Sequence, residues 1–131
     1  MSPTERFERI YLGDEHIRQI SLNIAEETCQ MELSGAALLR IPQKLFDYEI
    51  RYEPATLMLT GVLKVNYPEW YCLNHLIVEY DSTPAQQEGY YKFSFTMTGG
   101  WDNDTFMRTV EIVAKDFSLS GTPVALPPVD A

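Results

Sequence analysis

From Tyr48 onward, apolar and polar residues alternate in run after run, with turn residues between the runs. Tyr91, Phe93, Phe95 and Met97 share one parity; Lys92, Ser94, Thr96 and Thr98 share the other. Val110, Ile112 and Ala114 interleave in the same way with Thr109, Glu111, Val113 and Lys115. Successive side chains of a strand point to opposite faces, so a period of two sorts the residues onto an inner and an outer surface.

The earlier half carries the same signal. Ile20, Leu22 and Ile24 alternate with Ser21 and Asn23, and Cys29, Met31 and Leu33 alternate with Gln30, Glu32 and Ser34. The polar break Ala25-Glu26-Glu27 joins these runs into a hairpin. Ala36 to Ile41 is apolar without a period, and Pro42 limits any helix or central strand there. Phe46, Tyr48, Ile50 and Tyr52 form a third run, ended by Glu53-Pro54. Leu57, Leu59, Val62 and Val65 form a fourth, in which Gly61 marks a bulge. Trp70 to Tyr80 suits a helix or a strand, and the β-branched Ile77 and Val78 favour a strand from about Leu73. Asp81 to Gly89 reads as a loop. Gly99 to Asp104 reads as a turn rich in residues that tolerate positive φ. Phe106 to Ala114 then pairs back on the preceding strand, and Phe117 and Leu119 extend or bend it. At the start, Ser2 caps a short helix with Pro3 in its first turn and Glu5 completing a capping box. Phe7, Ile10 and Tyr11 share its face, Gly13 stops it, and it lies against a sheet or plugs its open end.

The pattern predicts an all-β protein: an antiparallel β-sandwich or barrel of about seven strands with a short N-terminal helix. At 131 residues it fits one domain, over 1–120, followed by a Pro-rich tail over 121–131. A chain of this size buries roughly two thirds of its unfolded surface and needs neither a metal nor a disulfide to fold.

Charge narrows the partners. Nineteen acidic residues against ten basic ones give a net charge of −9. Phosphate binding draws its affinity from clustered Lys and Arg, and here the basic residues are scattered singly, so neither nucleic acid nor an anionic membrane is expected. The acidity serves solubility and suits a basic protein partner. No apolar stretch approaches the roughly 20 residues that span a bilayer, and the first residues lack a signal-peptide pattern, so a cytosolic protein is expected. Cys29 and Cys72 lie inside strand-like runs, where cysteine acts as a small buried hydrophobe or the two pair as a disulfide, a choice that spacing does not make, and no Cys/His spacing resembles a zinc site.

Candidate chemistry is sparse. His75 sits among apolar residues and reads first as a structural histidine; an enzyme using it would need a carboxylate such as Glu79 or Asp81 within reach. No serine sits in a nucleophile elbow, and no glycine-rich phosphate loop is present. Asp102-Asn103-Asp104 offers oxygens but lacks the other ligands of a calcium loop. No catalytic residue, metal or cofactor is therefore expected. Eight Tyr, six Phe and two Trp are present, and several lie at predicted turns and strand ends. Amphipathic rings of that kind give rigid contact area at interfaces. Trp70, Tyr71, Tyr90 and Trp101, with Asp102 and Asp104, are the binding candidates, in an acidic and aromatic surface. An apolar pocket inside a closed barrel is the alternative, for a small molecule. An exposed edge strand would also permit a dimer, though the pattern does not locate the edge.

The opening Phe7-Glu8-Arg9-Ile10-Tyr11-Leu12-Gly13-Asp14, followed by Ile17, Ile20 and Leu22, resembles the start of a family of small bacterial proteins of unknown function. Leu57 to Val62 and Val110 to Lys115 are similar to that family's later strands, so the resemblance runs from Phe7 to Leu119. Proteins of this type are suspected to be immunity or accessory proteins of bacterial toxin systems. The resemblance implies a non-enzymatic, partner-binding protein and brings no catalytic residues with it.

Overall fold

The structure, a computed structural model, describes residues 1–66, 75–101 and 104–126, with the backbone alone over 100, 101 and 104–106. One short helix, α1 (Pro3–Phe7), precedes ten strands: β1 (Ile10–Tyr11), β2 (Ile17–Asn23), β3 (Thr28–Leu33), β4 (Ala36–Leu39), β5 (Tyr48–Thr60), β6 (Lys64–Asn66), β7 (Leu76–Pro84), β8 (Tyr91–Trp101), β9 (Asp104–Ala114) and β10 (Asp116–Pro123). They form two antiparallel sheets. The six-stranded sheet has the order β1-β4-β5-β3-β2, with β10 paired to β5; the four-stranded sheet has the order β6-β9-β8-β7. The expected all-β sandwich with an N-terminal helix is therefore found, with more strands than the alternation alone resolves.

Long β5 organises the larger sheet. β3 and β4 follow one of its edges in unbroken register, from Thr28 opposite Thr60 to Leu38 opposite Ile50. β10 takes the other edge, with Phe117 opposite Leu59. At one corner the chain crosses between sheets twice, from β5 to β6 and from β9 to β10. The Lys115 amide donates to the Thr60 carbonyl at 3.0 Å and the Leu63 amide to Val113 at 2.8 Å. Gly61 makes this corner with φ +62, and a Cβ there would press within 2.8 Å of the Lys115 stem. On the opposite side His16 bridges Leu76, and the Ile17 amide donates to the His75 carbonyl at 3.0 Å.

Inward residues of the two sheets make one core. Met31, Leu33, Leu57 and Leu59 face Phe93, Phe95, Met97, Val110 and Ile112, all without solvent exposure. The alternation of β8 and β9 is thus realised as expected, with Phe93 opposite Ile112 and Phe95 opposite Val110. α1 forms with its capping box complete. Its one buried residue, Phe7, meets Phe93 and Phe117 edge-on, each at 5.4 Å between ring centroids, and Phe95 at 6.0 Å. Arg6 holds the helix to β10 through Asp116 at 2.6 Å and the Phe117 carbonyl at 2.9 Å, and Thr4 meets Ser82 of β7 at 3.1 Å.

Several expectations are corrected. The helix ends at Phe7, not Gly13, because β4 offers Ile10 and Tyr11 a strand partner, Leu38 and Ala37. Glu53-Pro54 does not end a strand. Two expected runs are one 13-residue strand, and Pro54, which has no amide to donate, falls in the ladder gap opposite Ser34-Gly35. Asp81 to Pro84 is strand rather than loop, held by β8 from Ser94 to Tyr91. Gly99, Gly100 and Trp101 are strand too, and the hairpin tightens until Trp101 opposes Asp104. Gly61 turns a corner between sheets rather than bulging within a strand. β10 carries the chain three residues past Ser120, to Pro123. Leu22 and Ile24, expected inside, are 46% and 88% exposed, because β2 outruns the core and Ile24 enters the turn. Phe46 does not open a strand: it sits in a turn at φ +68 and is 70% exposed. Residues 67–74, including the expected strand start at Leu73, lie outside the described residues. Among those described, no helix is long and apolar enough to cross a membrane.

Truncating Phe7 removes the ring that anchors α1 in the aromatic cluster. Phe7→Ala should cost about 3–5 kcal/mol, the range for deleting a buried aromatic. Equilibrium urea unfolding reads the loss directly, and Phe7→Leu should recover more than half of it.

Candidate functional site

Two places concentrate polar chemistry, and they differ in kind. The first is Glu15, the one charged residue among those described that is buried, at 6% exposure. A turn closed by the Glu15 amide on the Leu12 carbonyl at 3.3 Å, with Asp14 at φ +62, aims its side chain inward. Oε2 accepts the Ser34 hydroxyl at 2.6 Å and Oε1 accepts Arg51 Nη2 at 2.9 Å. Ser34 Oγ in turn accepts the His16 amide at 2.8 Å. Gly35 makes room for the carboxylate: a Cβ there would lie 2.8 Å from Oε2. Burial works against the Arg51 charge, but the hydrogen bond and charge of Glu15 outweigh it and hold the guanidinium above its ordinary range. Burial also raises the Tyr48 phenol, aided by Tyr11, which stacks on it at 6.2 Å. Both Glu15 oxygens are matched to donors, and the cluster is a clamp that locks the β1–β2 turn onto β3, β4 and β5.

The second place is the surface of β7. Glu79 pairs with Thr96 and Asp81 with Ser94 across to β8. The short Ser94 and Thr96 side chains leave a depression of about 520 Å³ beside the two carboxylates, floored by Val78 and edged by Tyr80. Neither Glu79 nor Asp81 has an ion-pair partner among the described residues, whereas nearby Lys92 lies 4.0 Å from Glu111. Over the edge of β7 lies a groove of about 460 Å³, more apolar, between β7 on one side and β1 and β4 on the other. Ile10, Tyr11, Leu39, Leu45 and Tyr80 line it, with Glu8 and Asp81 at its rims. Tyr80 and Asp81 belong to both depressions, so the two meet on this strand. The Tyr80 hydroxyl accepts the Leu12 amide at 3.0 Å, which pins the ring, and burial raises its phenol above the ordinary range. Leu45, which lines the groove, is exposed, as are Ile41 and Phe46 in the same β4–β5 connection, with Phe46 in a backbone conformation that bulky side chains rarely take.

The expected binding residues do not form one surface. Trp70, Tyr71 and Asp102 lie outside the described residues. Trp101 and Asp104 pair at the far tip of the β8–β9 hairpin. Tyr90 stands at the other end of β8, half-buried under Lys115, whose Nζ lies 5.6 Å from the ring. At about 3.3 Å per residue, the eleven residues of β8 put those two ends more than ~30 Å apart. The depression lined by Glu79 and Asp81 does not include His75, which sits half-buried just before β7. The alternation predicts the strand only as far as Tyr80 and reads Asp81 as loop, so it captures the first part of β7 but not the face that Glu79 and Asp81 share. The available signal was the spacing of Glu79 and Asp81, two residues apart beside the aromatic Tyr80.

The fold and this surface define an antiparallel β-sandwich with an acidic, aromatic strand on its flank. Comparison of the chain with protein-family models, with curated proteins and with solved structures found no match.

Two consequences can be measured. Glu15→Gln leaves Arg51 facing a neutral partner and should cost about 2–3 kcal/mol, somewhat under the roughly 3–5 of a fully buried broken pair because Arg51 keeps some contact with water; urea unfolding of the variant checks it. Burial holds the His75 imidazole below its ordinary range near 6.5. The unfolded chain therefore takes up that proton first as pH falls, and the folded state loses stability below about pH 6.5. A thermal-midpoint series from pH 7.5 to about 5 should show a shallower decline for His75→Gln than for the wild type.

Proposed function

We propose that this is a non-enzymatic interaction protein that docks a basic protein partner on β7. The observation that carries the reading is the meeting of an acidic depression and an apolar, tyrosine-lined groove at Tyr80 and Asp81. Glu79 and Asp81 would receive a Lys or Arg side chain, and Tyr11, Tyr80 and Leu45 an apolar one. Long-range attraction by an acidic chain speeds encounter, and well-packed aromatic anchors hold the complex. The site stands on a rigid strand rather than on a loop, which favours a preformed surface. Resemblance to small bacterial proteins suspected of toxin immunity supports the same role: the bound partner's own site would be covered. A cytosolic setting belongs to this reading. The alternative of a small-molecule barrel gains less support, because Phe93, Phe95, Met31 and Met97 fill the interior between the sheets. The alternative of an enzyme using His75 with Glu79 or Asp81 gains less as well, because those carboxylates face solvent on the outer side of the sheet.

The test is capture from an extract by immobilised protein. Proteins retained should be basic, and retention should fall as salt rises from about 0.05 to about 0.5 M. The double reversal Glu79→Lys/Asp81→Lys should release them while leaving the fold intact, since both residues are exposed. A retained set of acidic proteins, or one indifferent to the reversal, sinks the reading. Retention left intact in His75→Ala favours this reading over the enzyme.

A further inference from the structure

We infer how the basic partner is held: an extended segment of it adds to the edge of β7 as an antiparallel strand, with a basic, an apolar and a basic residue opposite Glu79, Tyr80 and Asp81. The inference rests on β7 being the docking site and adds the backbone geometry and the side-chain order of the occupant. β7 is an edge strand of the four-stranded sheet. Along an antiparallel ladder, hydrogen-bonded and non-bonded pairs alternate. The Ala85 amide donates across to the Tyr90 carbonyl at 3.0 Å, and the register then runs unbroken from Pro84 opposite Tyr91 to Glu79 opposite Thr96. The main-chain groups of Thr83, Asp81 and Glu79 therefore turn toward β8, and those of Tyr80 and Ser82 turn away from it. Among the described residues, the turned-out groups of Tyr80 and Ser82 have no main-chain partner. Nearer its start the same edge already takes an added segment from within the chain: the Ile77 amide donates to the Glu15 carbonyl at 2.9 Å, and His16 bridges Leu76 antiparallel. The chain enters β7 through His75, which at the rise of a strand lies roughly 20 Å from Ser82.

Two observations select this occupant. The acidic depression and the apolar groove meet at this edge, sharing Tyr80 and Asp81. Glu79 and Asp81 are exposed on the outer face, whereas Tyr80 turns inward, its ring 6.3 Å from Phe7. Residues opposite one another on paired strands share a face. A residue opposite Tyr80 thus enters the groove toward Ile10, Leu39 and Leu45, and its two neighbours lie beside Glu79 and Asp81. A helix presents one stripe to a surface and cannot fill both faces of a strand edge; an added strand fills both through its period of two. Charge is the second observation. Glu8, Glu79 and Asp81 stand around the edge without an ion-pair partner among the described residues, while nearby Arg6 and Arg9 are taken by Asp116 and Glu49. Lys or Arg at the two flanking positions meets a carboxylate directly across the strands, which stabilises such pairs.

The probe is a synthetic peptide, Gly-Thr-Lys-Leu-Lys-Thr-Gly, titrated into the isotopically labelled full chain and followed by magnetic resonance. Its control is the isomer Gly-Lys-Thr-Leu-Thr-Lys-Gly, of equal charge and composition, whose lysines share the face of the leucine. The first peptide should bind about tenfold tighter than the second. At about ten times its Kd it should slow exchange of the Tyr80 and Ser82 amide protons roughly tenfold, leaving those of Glu79 and Asp81, already turned to β8, unchanged. N-methylation of the peptide's leucine should abolish binding, whereas N-methylation of either lysine, whose amide faces away from β7, should not. Leu45→Asp should weaken the peptide about tenfold with the thermal midpoint unchanged, because that side chain is already exposed. Equal affinity of the two isomers, no slowing at Tyr80 and Ser82, or indifference to the methyl group on leucine overturns strand addition. None of those results alters the capture of basic proteins or their release by Glu79→Lys/Asp81→Lys, so the mode of binding and the docking site fail separately.

Discussion

Glu15 reaches both sheets at once. Its main-chain carbonyl accepts the Ile77 amide of the four-stranded sheet at 2.9 Å, while its carboxylate takes Ser34 and Arg51 of the six-stranded one. Burying a carboxylate costs several kcal/mol unless a cation and hydrogen-bond donors replace its water. Here both arrive only when β3, β4 and β5 have paired, the β1–β2 turn is formed and Gly35 yields its space, and the carbonyl of the same residue then ties that assembly to β7. Each of those conditions alone is weak. Their mutual dependence makes the closed arrangement cooperative, and a slip of register by one residue would strand the charge without its partners.

That closure decides what β7 is free to do. Its first residues are tied to the clamp through Ile77, and its last are held by α1 through Ser82. Between these ties the strand is stiff, with Ile77 buried on the inner side and Tyr80 packed against Phe7 at 6.3 Å. The outer side and the open margin are left to solvent. A surface held this way loses little conformational entropy when something binds to it, which is the advantage of placing recognition on a strand.

Much of the fold was legible in the alternation, and the reasons for the rest are specific. β8 and β9 were readable because each keeps one register with the other from end to end, and β9 reaches its corner only after Ala114. β5 was not, because Glu53-Pro54 carries the residues that usually end a strand, and only the partner strands reveal that the ladder has a gap there. β4 was hidden because Ala36 and Ala37 are both buried, which erases the period. Glu15 could not be singled out, since a glutamate in a polar turn reads as solvated until Arg51 is seen 36 residues away. The candidate surface was readable only in part. Aromatic and acidic residues were the right kinds, but which of them share a face depends on pairing, and pairing is long-range.

The residues that break the pattern are the informative ones. Local signals that disagree with the fold tend to persist where they serve something other than stability. Leu22, Ile24 and Phe46 are apolar and outside, yet they are not scattered: two lie at one end of β5, where β2 outruns the core, and one at the other end, beside Tyr48. Isolated apolar residues on a surface need no explanation, whereas apolar residues gathered at one end of a sheet do. The sandwich thus keeps an acidic body for solubility and gathers Leu22, Ile24 and Leu63 near one end of β5 and Ile41, Leu45 and Phe46 near the other. A chain of net charge −9 can hold such clusters open without indiscriminate aggregation, because any approach that fails to match an apolar patch is met by like charge.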